Sequence, residues 1–106
     1  PLDIGSAWLD DMKLENSSDF WHIVSQSPNI KAVFCGHVHQ DNELSRNGVP
    51  VITTPSTCVQ FKRHSRVYQI ERLQPGFRVI EVQDDGTFSH HLVRLEPSDG
   101  FSVPLL

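Results

Sequence analysis

The residues best equipped for chemistry are gathered in Val33-Phe34-Cys35-Gly36-His37-Val38-His39-Gln40, where an apolar run meets a glycine and then a His-x-His pair. Neutral imidazole is the commonest protein ligand for zinc, iron and similar ions. In extended backbone, side chains two apart point to the same side. His37 and His39 would then converge on one region while Val38 turns back to the core. Gly36 would let the chain turn sharply where a side chain would obstruct. The end of a strand is also where α/β sheets carry their sites. The same pair fits structural or solvent-exposed histidines, and both readings stay open on the residues alone. The remaining histidines, His22, His64, His90 and His91, read as structural or solvated. Of the last two, one should point inward from a strand and the other outward.

Several elements must position this pair. A short helix is expected around Trp8 to Met12. A second helix should start at an Asn16 or Ser17 cap, with Asp19 favourable in its first turn. Phe20, Ile23 and Val24 fall at helical spacing beside Trp21, and the helix should stop before Pro28. Ile30 to Cys35 reads as a buried strand. Glu43 to Thr54 reads as a hairpin turning at Asn47-Gly48, the strongest short turn signal in the chain. Thr54 to Thr57 breaks the strand into a loop. Val67, Tyr68 and Ile70 suggest a further strand. Phe77 to Val82 and Phe88 to Leu95 should form a second hairpin around Asp84-Asp85-Gly86, with apolar residues on both faces of its first strand. The tail from Pro97 is expected to run irregularly over the surface. One main helix, one buried strand and hairpins make an α+β chain, compatible with the edge of a larger layered structure.

At 106 residues the chain suits one compact unit. Its net charge of −4 argues against a nucleic-acid polymer as partner. The basic cluster Lys62, Arg63, His64 and Arg66 reads as a solvated loop, with an anion site as the alternative. No apolar run approaches the roughly 20 residues that span a bilayer, so no membrane partner is expected. Two cysteines, Cys35 and Cys58, are too few for a disulfide framework and suggest free thiols in the cytoplasm. A start at Pro1 suggests a fragment, whether processed, proteolytic or designed.

Gly36-His37-Val38-His39 resembles the Gly-His-x-His motif that closes the metal site of calcineurin-like metallophosphoesterases. In the bacterial 3′,5′-cyclic AMP phosphodiesterase branch the likeness extends further. Pro1 to Asp10 is similar to the segment after that branch's histidine-rich metal-binding turn. Thr54-Pro55-Ser56-Thr57-Cys58-Val59-Gln60-Phe61 is similar to its segment after the hairpin, and Pro75-Gly76-Phe77-Arg78 to the start of its next strand. The resemblance covers nearly the whole chain as the C-terminal portion of one domain. It implies a parent fold that is a four-layer αββα sandwich. It implies that His37 and His39 each ligate one of two divalent ions (iron, manganese or zinc). These activate a hydroxide and clamp the phosphate of a cyclic nucleotide substrate for hydrolysis to the 5′-monophosphate. It places Ser56, Thr57, Cys58 and Gln60 in a substrate-facing loop, for which the plainer reading is a turn capped by the Ser56 and Thr57 hydroxyls.

The family's other ligands come from an Asp-x-His motif, a Gly-Asp pair, a Gly-Asn-His-Asp/Glu motif and a histidine upstream of Pro1. None stands in this chain, and Asp41 and Glu43 match no family motif. Even catalytic zinc usually takes three protein ligands, so the chain should bind no metal tightly and be inactive by itself. A chain stripped of neighbouring strands should self-associate as a homo-oligomer, with exchange of its N-terminal helix as one arrangement. Two rival functions stay open: a phosphodiesterase for another substrate such as a glycerophosphodiester, and a non-catalytic β-rich interaction module.

Overall fold

Asn47 and Gly48 both adopt positive φ, 52° and 82°, the pairing that a two-residue turn needs to match strand twist. In a computed structural model, which describes residues 1–96, that turn joins the two longest strands of the main sheet. The elements are α1 (Ala7–Asp10), α2 (Ser17–Ser25), β1 (Val33–Cys35), β2 (Asn42–Arg46), β3 (Val49–Thr53), β4 (Gln60–Phe61), β5 (Ile70–Glu71), β6 (Gly76–Val82) and β7 (Phe88–Arg94). The expectation for the tail from Pro97 falls outside the described residues. The mixture of helix and small sheets agrees with an α+β chain.

β1, β3 and β2 form one sheet in that order; β4–β5 and β6–β7 are separate antiparallel pairs. β3 lies parallel to β1, with Val33 opposite Val51 and Cys35 opposite Thr53. It lies antiparallel to β2, with Glu43 opposite Ile52. α2 covers one face. Trp21, Val24 and Val51 are buried there, with Phe20, Val33, Cys35 and Leu44 packed around them. The Trp21 indole also donates to the Pro1 carbonyl at 3.2 Å and carries the Arg46 guanidinium 5.2 Å from its ring centre. Phe34 alternates to the opposite face and meets Phe88 and His90 edge-on, at 5.9 and 5.7 Å between ring centres.

Four expectations need correction. The first strand spans only Val33–Cys35 and is half-buried, because it has a strand neighbour on one side among the described residues. Ile23 faces solvent at 62% exposure, since the short α2 turns only Trp21 and Val24 fully inward. Asn16 holds the N-cap position of α2 without a side-chain capping bond. Val67 and Tyr68 lie outside any strand and are exposed; only Ile70–Glu71 pairs, with β4.

Gln60 fixes the loop between β3 and β4 from within. Its side chain is essentially fully buried. Its carbonyl oxygen accepts from the Ser56 N–H at 2.8 Å. Its amide donates to the Ser56 carbonyl at 2.8 Å and the Gln74 carbonyl at 3.3 Å. Replacing it leaves the part-buried Ser56 N–H without its partner and strips one donor each from the Ser56 and Gln74 carbonyls, a loss of about 1–3 kcal/mol. Gln60→Leu should lower stability by about 2 kcal/mol or more, read as a shift of the urea midpoint at fixed protein concentration.

The exposed edge of β1 and the apolar side chains Phe77, Ile80 and Val82, 47%, 41% and 71% exposed on β6, are features that drive strand pairing and surface association. Light scattering over a concentration series should show a dimer or larger species. A monomer at high micromolar concentration would show that the chain closes its own core.

Candidate metal centre

The His-x-His segment leaves β1 at the C-terminal end of the strand, where the sequence places it, but it is not extended. His37 and His39 both adopt left-handed backbone conformations, φ 77° and 53°. Alternation along a strand therefore does not bring the two rings together. Gly36 is corrected as well: its φ is not positive, and an added Cβ would meet no described atom within 4 Å. The sharp turn is made by the histidines themselves. Non-glycine residues held at positive φ cost of order 1–3 kcal/mol each, and such strain concentrates at functional sites.

His39 is held on every side. Its Nδ1 lies 2.9 Å from the Val59 carbonyl. A carbonyl can only accept, so Nδ1 carries the proton and Nε2 keeps the lone pair in the neutral ring. The ring stacks on Phe61 at 4.0 Å between centres, with an interplanar angle of 4°. The Phe61 N–H bonds back to the His39 carbonyl at 3.4 Å. The next residue, Gln40, is buried and donates to the Phe61 carbonyl at 3.3 Å. The Thr53 hydroxyl, also buried, donates to the Gln40 carbonyl at 2.6 Å and accepts from the Asn42 N–H at 3.0 Å. Desolvation pushes the His39 imidazole below its ordinary pKa, the bond to Val59 opposes this, and the nearby His37 adds a smaller downward push. The net direction favours the neutral, ligating form of the ring.

His37 is exposed. It borders a largely apolar cavity of about 470 Å³ with Leu9, Cys35, Leu44 and Val51. His39 borders a smaller one of about 140 Å³ on its other side, with Lys62, Arg63 and Arg94. His39 feels the His37 charge weakly, and the two residues line different cavities. Among the described residues no group of three or more His, Cys, Asp or Glu is gathered to hold a metal ion. Two separate imidazoles fit a divalent ion by donor chemistry, but among the described residues they do not complete a site.

The loop residues divide. Ser56 Oγ accepts from the Cys58 N–H at 2.9 Å, the capped turn of the plainer reading. Thr57 and Cys58 are exposed. Gln60 points inward and is spent on loop backbone, so its amide is not displayed to a substrate. His90 is inward and His91 outward, as alternation requires. His22 and His64 are exposed. Of the basic cluster, Arg63 bonds the Asn42 side chain and the Asp41 carbonyl, so it braces the segment after His39. Sequence reasoning missed Phe61, Thr53 and Gln40 as supports. The only available signal was the placement of polar Gln40 and Thr53 beside apolar runs. Both cysteines are free, and burial raises the Cys35 thiol's pKa.

No family model matches the chain. It is 42% identical over 95 residues to the 3′,5′-cyclic adenosine monophosphate phosphodiesterase CpdA of Vibrio vulnificus, covering 90% of this chain and 35% of that protein. It is 39% identical over 95 residues to the Escherichia coli K12 protein of the same name, covering 90% and 34%. It is 34% identical over 105 residues to a 3′,5′-cyclic-nucleotide phosphodiesterase of Nostoc, covering 99% and 38%. The chain spans about a third of the length of these curated relatives. The resemblance read from the motifs therefore holds across nine-tenths of the chain: it is a homologue of part of the bacterial cyclic AMP phosphodiesterases, consistent with their C-terminal portion.

Proposed function

We propose that this chain forms part of a metal-dependent phosphodiesterase that hydrolyses 3′,5′-cyclic AMP to 5′-AMP, and that His37 and His39 each ligate one of two divalent ions, iron, manganese or zinc. The observation that carries the reading is the pair of left-handed histidines at the end of β1. One of them has its Nδ1 committed to a carbonyl and its Nε2 left as the ligating nitrogen. That the two residues line different cavities suits one ion apiece better than both on the same ion. When bound, the ions would supply a hydroxide nucleophile from water and neutralise the phosphate. The chain's own residues hold the ligands: Val59 sets the His39 proton, Thr53 and Gln40 fix the turn that carries it, and Ser56 shapes the exposed loop at Thr57 and Cys58. The names of the relatives support a cyclic nucleotide as substrate. Two free cysteines suit a reducing cytoplasmic setting, which belongs to the same proposal.

Because the described residues gather no third ligand, the 106-residue protein should show no phosphodiesterase turnover with cyclic AMP and excess manganese. Turnover in the ordinary enzyme range, about 1–10³ s⁻¹, abolished by His37→Ala, would sink this part of the reading. In a full-length protein carrying this segment, His37→Ala and His39→Ala should each reduce activity about 100-fold or more, since each removes a ligand. His91→Ala, on the exposed face of β7, should do little. An equal loss from His90→Ala at unchanged melting temperature would overturn the site assignment. A panel including a glycerophosphodiester would separate cyclic nucleotide from other phosphodiester substrates.

A further inference from the structure

Phe61 carries no reacting group, yet its ring lies parallel to the His39 imidazole, 4.0 Å away and 4° from coplanar. Aromatic pairs in proteins prefer offset or edge-to-face arrangements, and Phe61 adopts the edge-to-face form with its other neighbours. Trp8 meets it at 4.9 Å and 73°, and Tyr68 at 5.4 Å and 64°. Trp8 and Tyr68 also touch each other at 5.4 Å. The Phe61 plane is thus set from α1 and from the loop before β5, and its backbone from the β4 pairing with Ile70. One hydrogen bond from Nδ1 to Val59 restrains the imidazole but tolerates a range of ring tilts. A flat surface against one face narrows that range.

We infer that Phe61 is a positioning residue for His39, holding the imidazole plane so that Nε2 presents its lone pair in one direction to a divalent ion; the inference rests on the metal reading above. The chemistry of the contact also suits a loaded ring. An imidazole that donates its lone pair to a cation becomes electron-poor, and the face of a phenyl ring is electron-rich. Stacking therefore strengthens on loading, and the aromatic cluster of Trp8, Phe61 and Tyr68 links the first helix to the ligand without touching the ion.

The test uses the ¹⁵N-labelled 106-residue chain and zinc ion alone as probe. Phe61→Leu keeps an apolar side chain of similar size and removes the flat face; Phe61→Tyr keeps the face. Long-range proton–nitrogen NMR should show His39 of the unsubstituted chain with Nδ1 protonated and Nε2 bare. In Phe61→Leu the two nitrogen shifts should move toward each other as the tautomers average, and in Phe61→Tyr they should stay. Zinc titration followed at the His37 and His39 signals should give affinity about tenfold weaker for Phe61→Leu and restored for Phe61→Tyr, the scale seen when a group that orients a ligand is lost. Unchanged His39 nitrogen shifts in Phe61→Leu would overturn the inference, as would equal zinc affinity in a chain that binds zinc. If the unsubstituted chain fails to bind zinc at His37 and His39 while its nitrogen shifts still depend on Phe61, ring positioning stands and the metal reading falls.

Discussion

Arg78 is the interaction through which the halves of this structure communicate. Its guanidinium group is 4% exposed and pairs with the Asp41 carboxylate. It also reaches the Thr53 carbonyl at 3.1 Å, the Thr54 hydroxyl at 3.4 Å and the His90 Nδ1 at 2.9 Å. A charge withdrawn from water is tolerated only when its donors are matched by acceptors. These acceptors come from three places: the end of β3, the segment just after His39, and β7. The β6–β7 hairpin, which as a two-stranded ribbon would be marginal alone, is anchored there and by the contacts of Phe88 and His90 with Phe34. Loss of the Arg78 side chain would free the hairpin and strip Asp41 of its partner two residues beyond His39.

The same logic of filled hydrogen-bonding capacity governs the turn that bears the histidines. Thr53 and Gln40 are buried polar residues whose bonds serve the backbone between His39 and Asn42, the start of β4 and the Asn42 side chain. Gln60 does so for the neighbouring loop. Polar side chains in such positions hold irregular backbone where helix and sheet ladders cannot. They allow His37 and His39 to keep strained conformations that a freer chain would relax. The core of Trp21, Val24 and Val51 supplies cohesion on the α2 face, but Thr53 at the end of β3 and Gln40 hold the turn that carries His39.

Local signals in the sequence transferred well. Asn47-Gly48 specifies its turn because few residue pairs accept positive φ twice in a row. The second hairpin closes where Gly86 follows two aspartates, with the Gly86 N–H bonded to the Gln83 carbonyl at 3.0 Å. The position of the His-x-His segment at the end of β1 was also legible, because a strand running into a glycine is a compact pattern. Its geometry was not. Alternation is a property of extended backbone, and the residues at positive φ here are histidines, whose types do not announce that conformation. The resemblance implied a substrate-facing Gln60, but its side chain is buried. Its burial depends on Gln74, fourteen residues away, and no local pattern reveals such a partner. Val67 and Tyr68 have strand-like side chains, but a ladder needs a neighbour, and β4 offers only two residues to pair with.

His37 and His39 are built to different standards, and the difference follows from where their supports lie. Every group that fixes His39, from Val59 and Phe61 to Trp8 and Tyr68, belongs to this chain and is already in place. His37 instead borders the larger, mostly apolar cavity between the N-terminal segment and the main sheet. Its left-handed backbone shows that the chain commits the residue to one direction, and its exposure leaves the ring open to partners from outside the described residues. A ligand fixed in advance pays little entropy when an ion arrives, whereas one that must be ordered weakens binding by that amount. The chain therefore presents one preorganised imidazole and one dependent on its surroundings. That asymmetry is what a segment spanning about a third of its relatives' length would show if the remaining ligands and walls come from the rest of the protein.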